Sequence, residues 1–126
     1  MTKKILIVDD EPDAVGLLSI RLKSNGYDVI SALDGEACLK KAVEEKPDLI
    51  ILDILMPKIN GFEVCKRLKE RDETKDIPVI MLTALAKEQD VSKGLEEGAD
   101  CFITKPFNSA DLLDEIKTAL TEKDKS

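Results

Sequence analysis

The stretch Leu49-Ile50-Ile51-Leu52-Asp53-Ile54-Leu55-Met56-Pro57 narrows the folds open to this chain more than any other. It reads as an apolar run, one carboxylate, a second apolar run and a proline. A short unbroken apolar run is the pattern of a strand covered on both faces, as in a parallel sheet, and not of a strand with one wet face. Pro57 cannot continue a central strand. The spacing therefore predicts a strand over Asp48–Leu52, with Asp53 just beyond its end. A carboxylate at the mouth of a core is costly unless it is paired or hydrogen-bonded. Asp53 is either a polar strand end or a working group, and the rest of the chain must decide which.

Four more strands are expected along the chain. Ile5-Leu6-Ile7-Val8 is β-branched and short, and Asp9-Asp10-Glu11-Pro12 ends it. Pro12 suits the first turn of a helix, in which Ala14, Leu17, Leu18 and Leu22 recur at helical spacing, until Asn25-Gly26 stops it. Tyr27 to Ala32 is the second strand. Asp34 is an N-cap candidate for a helix through Glu45, with Cys38, Leu39, Ala42 and Val43 inward. After Asp53 the pair Asn60-Gly61 signals a turn, and Phe62, Cys65 and Leu68 mark the next helix. Ile77 to Leu82 is the fourth strand, with Thr83-Ala84 behind it. A helix is predicted over about Lys87 to Glu97, with Gly98 as its stop. Cys101 to Thr104 is the fifth strand, ended by Lys105-Pro106. Asn108 caps a last helix with Leu112, Leu113, Ile116 and Leu120 inward. Residues 1–121 thus make one domain, and 122–126 a charged tail.

Strand and helix alternate through the whole chain. This predicts an α/β fold: a doubly wound parallel sheet with right-handed crossovers and helices on both faces. At 126 residues there is room for one core and nothing for a second domain. A hydrophobic content of 43% with 36% charged residues marks a soluble globular chain. A net charge of −7 argues against general binding to nucleic acid, which needs a basic surface. No stretch has the apolar length for membrane insertion or a signal peptide, so a cytoplasmic location is expected. The chain has no histidine, which removes Ser/His and Cys/His nucleophile pairs and His-based zinc sites. Cys38, Cys65 and Cys101 are odd in number and lack CxxC spacing; they read as small core residues.

In open α/β sheets, ligands bind beyond the carboxyl ends of the strands. Asp9 and Asp10 follow the first strand, Asp53 the third, Thr83 the fourth and Lys105 the fifth. If those strands are neighbours, three carboxylates, a hydroxyl and an ammonium share one crevice. Carboxylates about 5 Å apart repel by roughly 3 kcal/mol per pair at an effective dielectric near 20. Oxygen-only ligands of this kind suit Mg²⁺. Three carboxylates, one Mg²⁺ and Lys105 sum to zero, a balance fit to receive a phosphoryl group. Taken singly, each of these residues also has an ordinary reading as a turn or loop polar group.

The chain resembles the receiver domains of bacterial two-component response regulators over about Lys3 to Leu120. The resemblance rests on Ile7-Val8-Asp9-Asp10-Glu11, on Asp53-Ile54-Leu55-Met56-Pro57 with Asn60-Gly61, on Thr83-Ala84, on Gly98-Ala99-Asp100 and on Lys105-Pro106-Phe107. It implies the flavodoxin-like (βα)5 fold with strand order 2-1-3-4-5, for which the chemotaxis receiver CheY is a standard example. It further implies that Asp53 takes a phosphoryl group from a sensor histidine kinase or phosphotransfer protein. Asp10, Asp53 and the backbone carbonyl of Leu55 would hold Mg²⁺, with Asp9 acting through water. Thr83 and Lys105 would meet the phosphoryl oxygens, Thr83 and Phe102 would switch together, and the Lys105-Pro106 bond would be cis. The fourth helix, fifth strand and fifth helix would present the switched state to a protein target, or to an effector domain if the chain is a fragment of a longer regulator. Such a chain is a signalling switch and not an enzyme acting on other substrates; it catalyses only its own phosphorylation and dephosphorylation. Cys101 stands where many DNA-binding members carry a second acid after Asp100, so only a weak homodimer is expected. Leu55 and Leu85 occupy positions that tune phosphoryl lifetime in the family. The alternatives at this stage are a constitutive binding module on the same fold and an aspartyl-nucleophile hydrolase. The hydrolase usually needs a second acid where Leu55 stands. A flavin protein lacks support, since no phosphate-cradling loop follows the first strand.

Overall fold

The computed structural model describes residues 2–54, 59–83, 96, 98–104 and 108–125. The five apolar runs form strands β1 (Lys4–Val8), β2 (Asp28–Ala32), β3 (Leu49–Asp53), β4 (Val79–Thr83) and β5 (Cys101–Thr104). All pair in parallel, in the order β2-β1-β3-β4-β5. This is the predicted α/β architecture and strand order. Helices α1 (Pro12–Ser24), α2 (Gly35–Glu45) and α3 (Gly61–Glu70) and a C-terminal helix (Ser109–Lys125) cover the sheet.

The period-two alternation of the strands sorts the core into two layers. Leu6, Val8, Ile50, Leu52 and Met81 face α2 and α3, where they meet Cys38, Val64 and Leu68. Ile5, Ile7, Ile51, Ile80 and Leu82 face the other way, toward Val15 and Leu22 of α1 and Leu112 and Ile116 of the C-terminal helix. Each such side chain contributes about 1.5–3 kcal/mol on full burial. Asp34 caps α2 as predicted, its Oδ1 accepting the Ala37 N–H at 2.8 Å. Asn108 Oδ1 likewise accepts the Ala110 N–H at 2.8 Å at the start of the C-terminal helix.

Several boundaries differ from the sequence reading. β3 begins one residue later than predicted and includes Asp53, which pairs in register with Leu82. The acid at 48 is instead spent on the neighbouring strand: Asp48 Oδ2 accepts the Lys4 N–H at 2.8 Å. β4 starts after Pro78, whose carbonyl accepts the Ile50 N–H at 3.0 Å although its own nitrogen cannot donate. On α1 the inward residues are Val15 and Leu22, with Leu18 partly buried beside them, and not Leu17, which is 72% exposed. Helical geometry explains this: Leu17 lies about 200° around the axis from Val15. The last helix runs on to Lys125, through the segment expected to be a tail. Glu and Lys are good helix formers, so the helical pattern can continue through this segment. The helix expected over residues 87–97 lies almost wholly outside the described residues. Its predicted stop, Gly98, has φ +97°, the left-handed conformation that favours glycine.

Candidate functional site

Adjacent strands bring the acids together. β1 and β3 are neighbours, about 4.8 Å apart, so residues at their carboxyl ends are within contact range. Asp9 directly follows β1. Its N–H donates to the Ala32 carbonyl at 3.2 Å, tying the end of β1 to the end of β2. Its Oδ1 accepts the Glu11 N–H at 3.0 Å, which shapes the turn into α1. Pro12 then opens that helix, where a missing donor costs nothing. Asp53 is the final residue of β3.

One carboxylate oxygen from each of Asp9, Asp10 and Asp53 lies within 4.8 Å of the other two. Asp9 and Asp53 are 6% and 8% exposed, whereas Asp10 is open to solvent. Among the described residues this is the only such group of ligating side chains. Asp9 and Asp53 also stand at one end of a cleft of about 570 Å³ between α1 and the C-terminal helix, flanked by Ala14, Leu17 and Leu18. The donor set is all oxygen, anionic and open on one side. Two oxygens on a common Mg²⁺ stand about 2.9–4.2 Å apart, given bonds near 2.1 Å, so a small side-chain rotation brings this triad to ligand spacing. The residues present fit a hard divalent cation.

Thr83 closes β4 one residue beyond the partner of Asp53, and lies opposite Thr104 in register. Both belong to the same carboxyl edge as the acids. Phe102 pairs with Met81 and is partly buried against the layer of α2 and α3. Leu55, Leu85, Lys105 and the Lys105-Pro106 bond lie outside the described residues. Asn60-Gly61, read from the sequence as a turn, is the start of α3: Asn60 Oδ1 accepts the Glu63 N–H at 3.1 Å, and Gly61 is the first helical residue. Asn ahead of a helix-periodic apolar run is a capping signal, and that signal was present. Cys38 and Cys65 are buried and Cys101 is partly so. Burial, with Cys65 and Asp34 nearby, pushes the Cys38 thiol up to about 12. Burial and a hydrogen bond to Glu115 push the Cys101 thiol to about 11. Neither supplies a thiolate near neutral pH.

The family model of the response regulator receiver domain matches residues 5–117. The chain is 51% identical over 120 residues to the alkaline phosphatase synthesis transcriptional regulatory protein PhoP of Bacillus subtilis, covering 95% of this chain and 49% of that protein. It is 46% identical over 122 residues to the DNA-binding dual master transcriptional regulator RpaA of Synechocystis, covering 97% of this chain and 51% of that protein. The chain thus spans about half the length of the curated relatives it matches. Among solved structures it is similar to a CheY-like receiver domain protein of Methanospirillum hungatei, with TM-score 0.93, 33% identity and 99% and 98% of the two chains covered. It is also similar to the chemotaxis protein CheY4 of Vibrio cholerae, with TM-score 0.89, 34% identity and 94% and 99% covered. Fold, strand order, acidic edge and these similarities agree: the chain belongs to the response regulator receiver domain family of two-component signalling.

Proposed function

We propose that this receiver domain is a switch that accepts a phosphoryl group on Asp53. The observation that carries this reading is the convergence of Asp9, Asp10 and Asp53 within 4.8 Å at the carboxyl ends of neighbouring strands. Asp53 is the nucleophile because it is an acid on a rigid strand, buried at its base and next to the other two acids. An ionised carboxylate needs no base to attack, which suits a chain without histidine. One Asp53 oxygen bonds to the phosphorus of a phosphohistidine on a sensor kinase or phosphotransfer protein. The P–N bond breaks, and its electron pair leaves on the imidazole, which is the stable neutral product after proton balance with solvent.

Asp10, Asp53 and the Leu55 carbonyl would hold Mg²⁺, with Asp9 acting through a water. The bound cation supplies positive charge that offsets the clustered acids and the incoming phosphoryl oxygens. Thr83 and Lys105 complete the ring of donors around the phosphoryl group. Rate comes from positioning and charge neutralisation and not from acid–base chemistry. Phosphorylation of Asp53 adds about one negative charge and three strong acceptors. Drawing Thr83 and Lys105 inward, with Phe102 following, biases a two-state fold toward a form that a downstream protein recognises. A swing from about 1:99 to 99:1 requires about 5.5 kcal/mol of preference. Two or three charge-assisted hydrogen bonds supply about 1.5–3 kcal/mol each.

The test is the intact mass after incubation with acetyl phosphate. Wild type with Mg²⁺ is expected to gain one phosphate, and to gain none with a chelator or as Asp53→Asn. A constitutive binding module on the same fold gains none under any of these conditions.

A further inference from the structure

We infer that Gly61 is a positioning residue for Asp53, required because the start of α3 is pressed directly against the backbone that carries the acid. A Cβ built on Gly61 would lie 2.6 Å from the Asp53 carbonyl oxygen, 2.7 Å from Ile54 Cα and 3.1 Å from the Asp53 carbonyl carbon. All three are main-chain atoms at the buried end of β3 and the residue after it, so no flexible side chain can yield to make room. The Gly61 N–H donates to the Ile54 carbonyl at 2.9 Å, which holds the helix and the strand end together. Gly61 does not need glycine for its backbone angle: only Gly26 and Gly98 have positive φ among the described glycines. What it needs is the absence of a side chain at one contact, and that contact is the peptide group leaving the proposed nucleophile.

Gly35 is a useful contrast. A Cβ on Gly35 would lie 2.6 Å from Val64 Cγ2, a side-chain atom in the packing of α2 against α3. That clash disturbs the core, whereas the clash at Gly61 displaces Asp53 itself. A carboxylate displaced at its backbone is misaligned with Asp9 and Asp10 and with an in-line phosphoryl donor, and misplacement of about 1 Å costs about a hundredfold in rate.

The experiment compares Gly61→Ala with Leu68→Ala, a cavity-forming change in the same helix whose side chain is buried in the core. For each, melting temperature, Mg²⁺ affinity, phosphorylation rate with acetyl phosphate at saturating Mg²⁺, and the Asp53 and Ile54 amide resonances are measured. Gly61→Ala is expected to move both resonances, and to weaken Mg²⁺ binding and slow phosphorylation by about tenfold or more each. Leu68→Ala is expected to melt lower with both quantities unchanged in its folded fraction. Equal losses in the two variants, tracking only their folded fractions, would overturn the inference. In case Gly61→Ala does not fold, the wild type serves: Mg²⁺ binding is expected to slow exchange of the Gly61 amide hydrogen, since coupling between the acids and this contact is reciprocal. An unaltered Gly61 exchange rate in the presence of saturating Mg²⁺ contradicts the coupling. The inference rests on the reading of Asp53 as phosphoacceptor only for its kinetic arm. Displaced Asp53 resonances and weakened Mg²⁺ binding in a protein that takes no phosphate would uphold the positioning role and reject that reading alone.

Discussion

At the amino end of the sheet, Asp48 accepts the Lys4 N–H and Asp100 accepts the Val79 N–H, each at 2.8 Å, and Lys69 Nζ lies 3.4 Å from the same Asp100 oxygen. At the carboxyl end, Asp9, Asp10 and Asp53 turn oxygens toward one another. The residue type and the sheet are the same. The amino-end acids take up strand N–H groups that have no further strand partner, and so they finish the fold. The carboxyl-end acids gather like charge at a cost of roughly 3 kcal/mol per pair at about 5 Å. A larger groove, of about 840 Å³, lies at the amino end and includes Lys69, Asp100 and Cys101. Its size does not make it the site, because these polar groups already answer one another or the backbone. Accumulated charge, and not volume, sets the carboxyl edge apart from the amino edge.

The comparison breaks most visibly under metal. Mg²⁺ at a hundredfold excess over its Kd is expected to stabilise the wild type by about 2.7 kcal/mol, a gain that Asp10→Asn and Asp53→Asn largely lose and Asp100→Ala keeps, read by thermal melts with and without the cation. Without metal the two ends differ in sign. Asp53→Asn is expected to raise stability by about 1–3 kcal/mol by removing a repelling charge, whereas Asp100→Ala lowers it by about 1–3 kcal/mol by orphaning the Val79 N–H; urea denaturation measures both. Asp48→Ala is a milder form of the second case, with a loss of about 0.5–1.5 kcal/mol and no change in Mg²⁺ affinity. The smallest effect near neutral pH belongs to the interior. With its thiol pushed up to about 12 by burial, Cys38 stays protonated, and folding gains from this fully below the ordinary thiol value of 9.0. That gain is lost as pH rises toward 12. Iodoacetamide at neutral pH is expected to leave Cys38 unmodified until the chain unfolds.

The two ends were not equally legible in the sequence. Asp9, Asp10, Asp53 and Thr83 each end an apolar run, so the carboxyl edge could be assembled from strand ends once strand order was supplied by family resemblance. The period of the strands also separates the two layers of core. Asp48 reads in the sequence as the first residue of its strand and Asp100 as an acid ahead of its own; only the structure shows that each serves a neighbouring strand. Leu17 reads as inward and Val15 is passed over because Leu17 fits a loose helical spacing, and the face that turns inward depends on how the helix is rotated against the sheet. Gly61 carries no local cue beyond its Asn-Gly pair. Its role comes from a close approach between α3 and β3, which is a property of tertiary packing.

The most direct measurement is chemical mapping of the modified residue. The protein is phosphorylated with acetyl phosphate and Mg²⁺, the acyl phosphate is reduced with borohydride, and peptides are sequenced by mass spectrometry. Reduction at position 53, with Asp9 and Asp10 intact, is the result this account predicts. Recovery of an unreduced Asp53, or of the label on another acid, would contradict it.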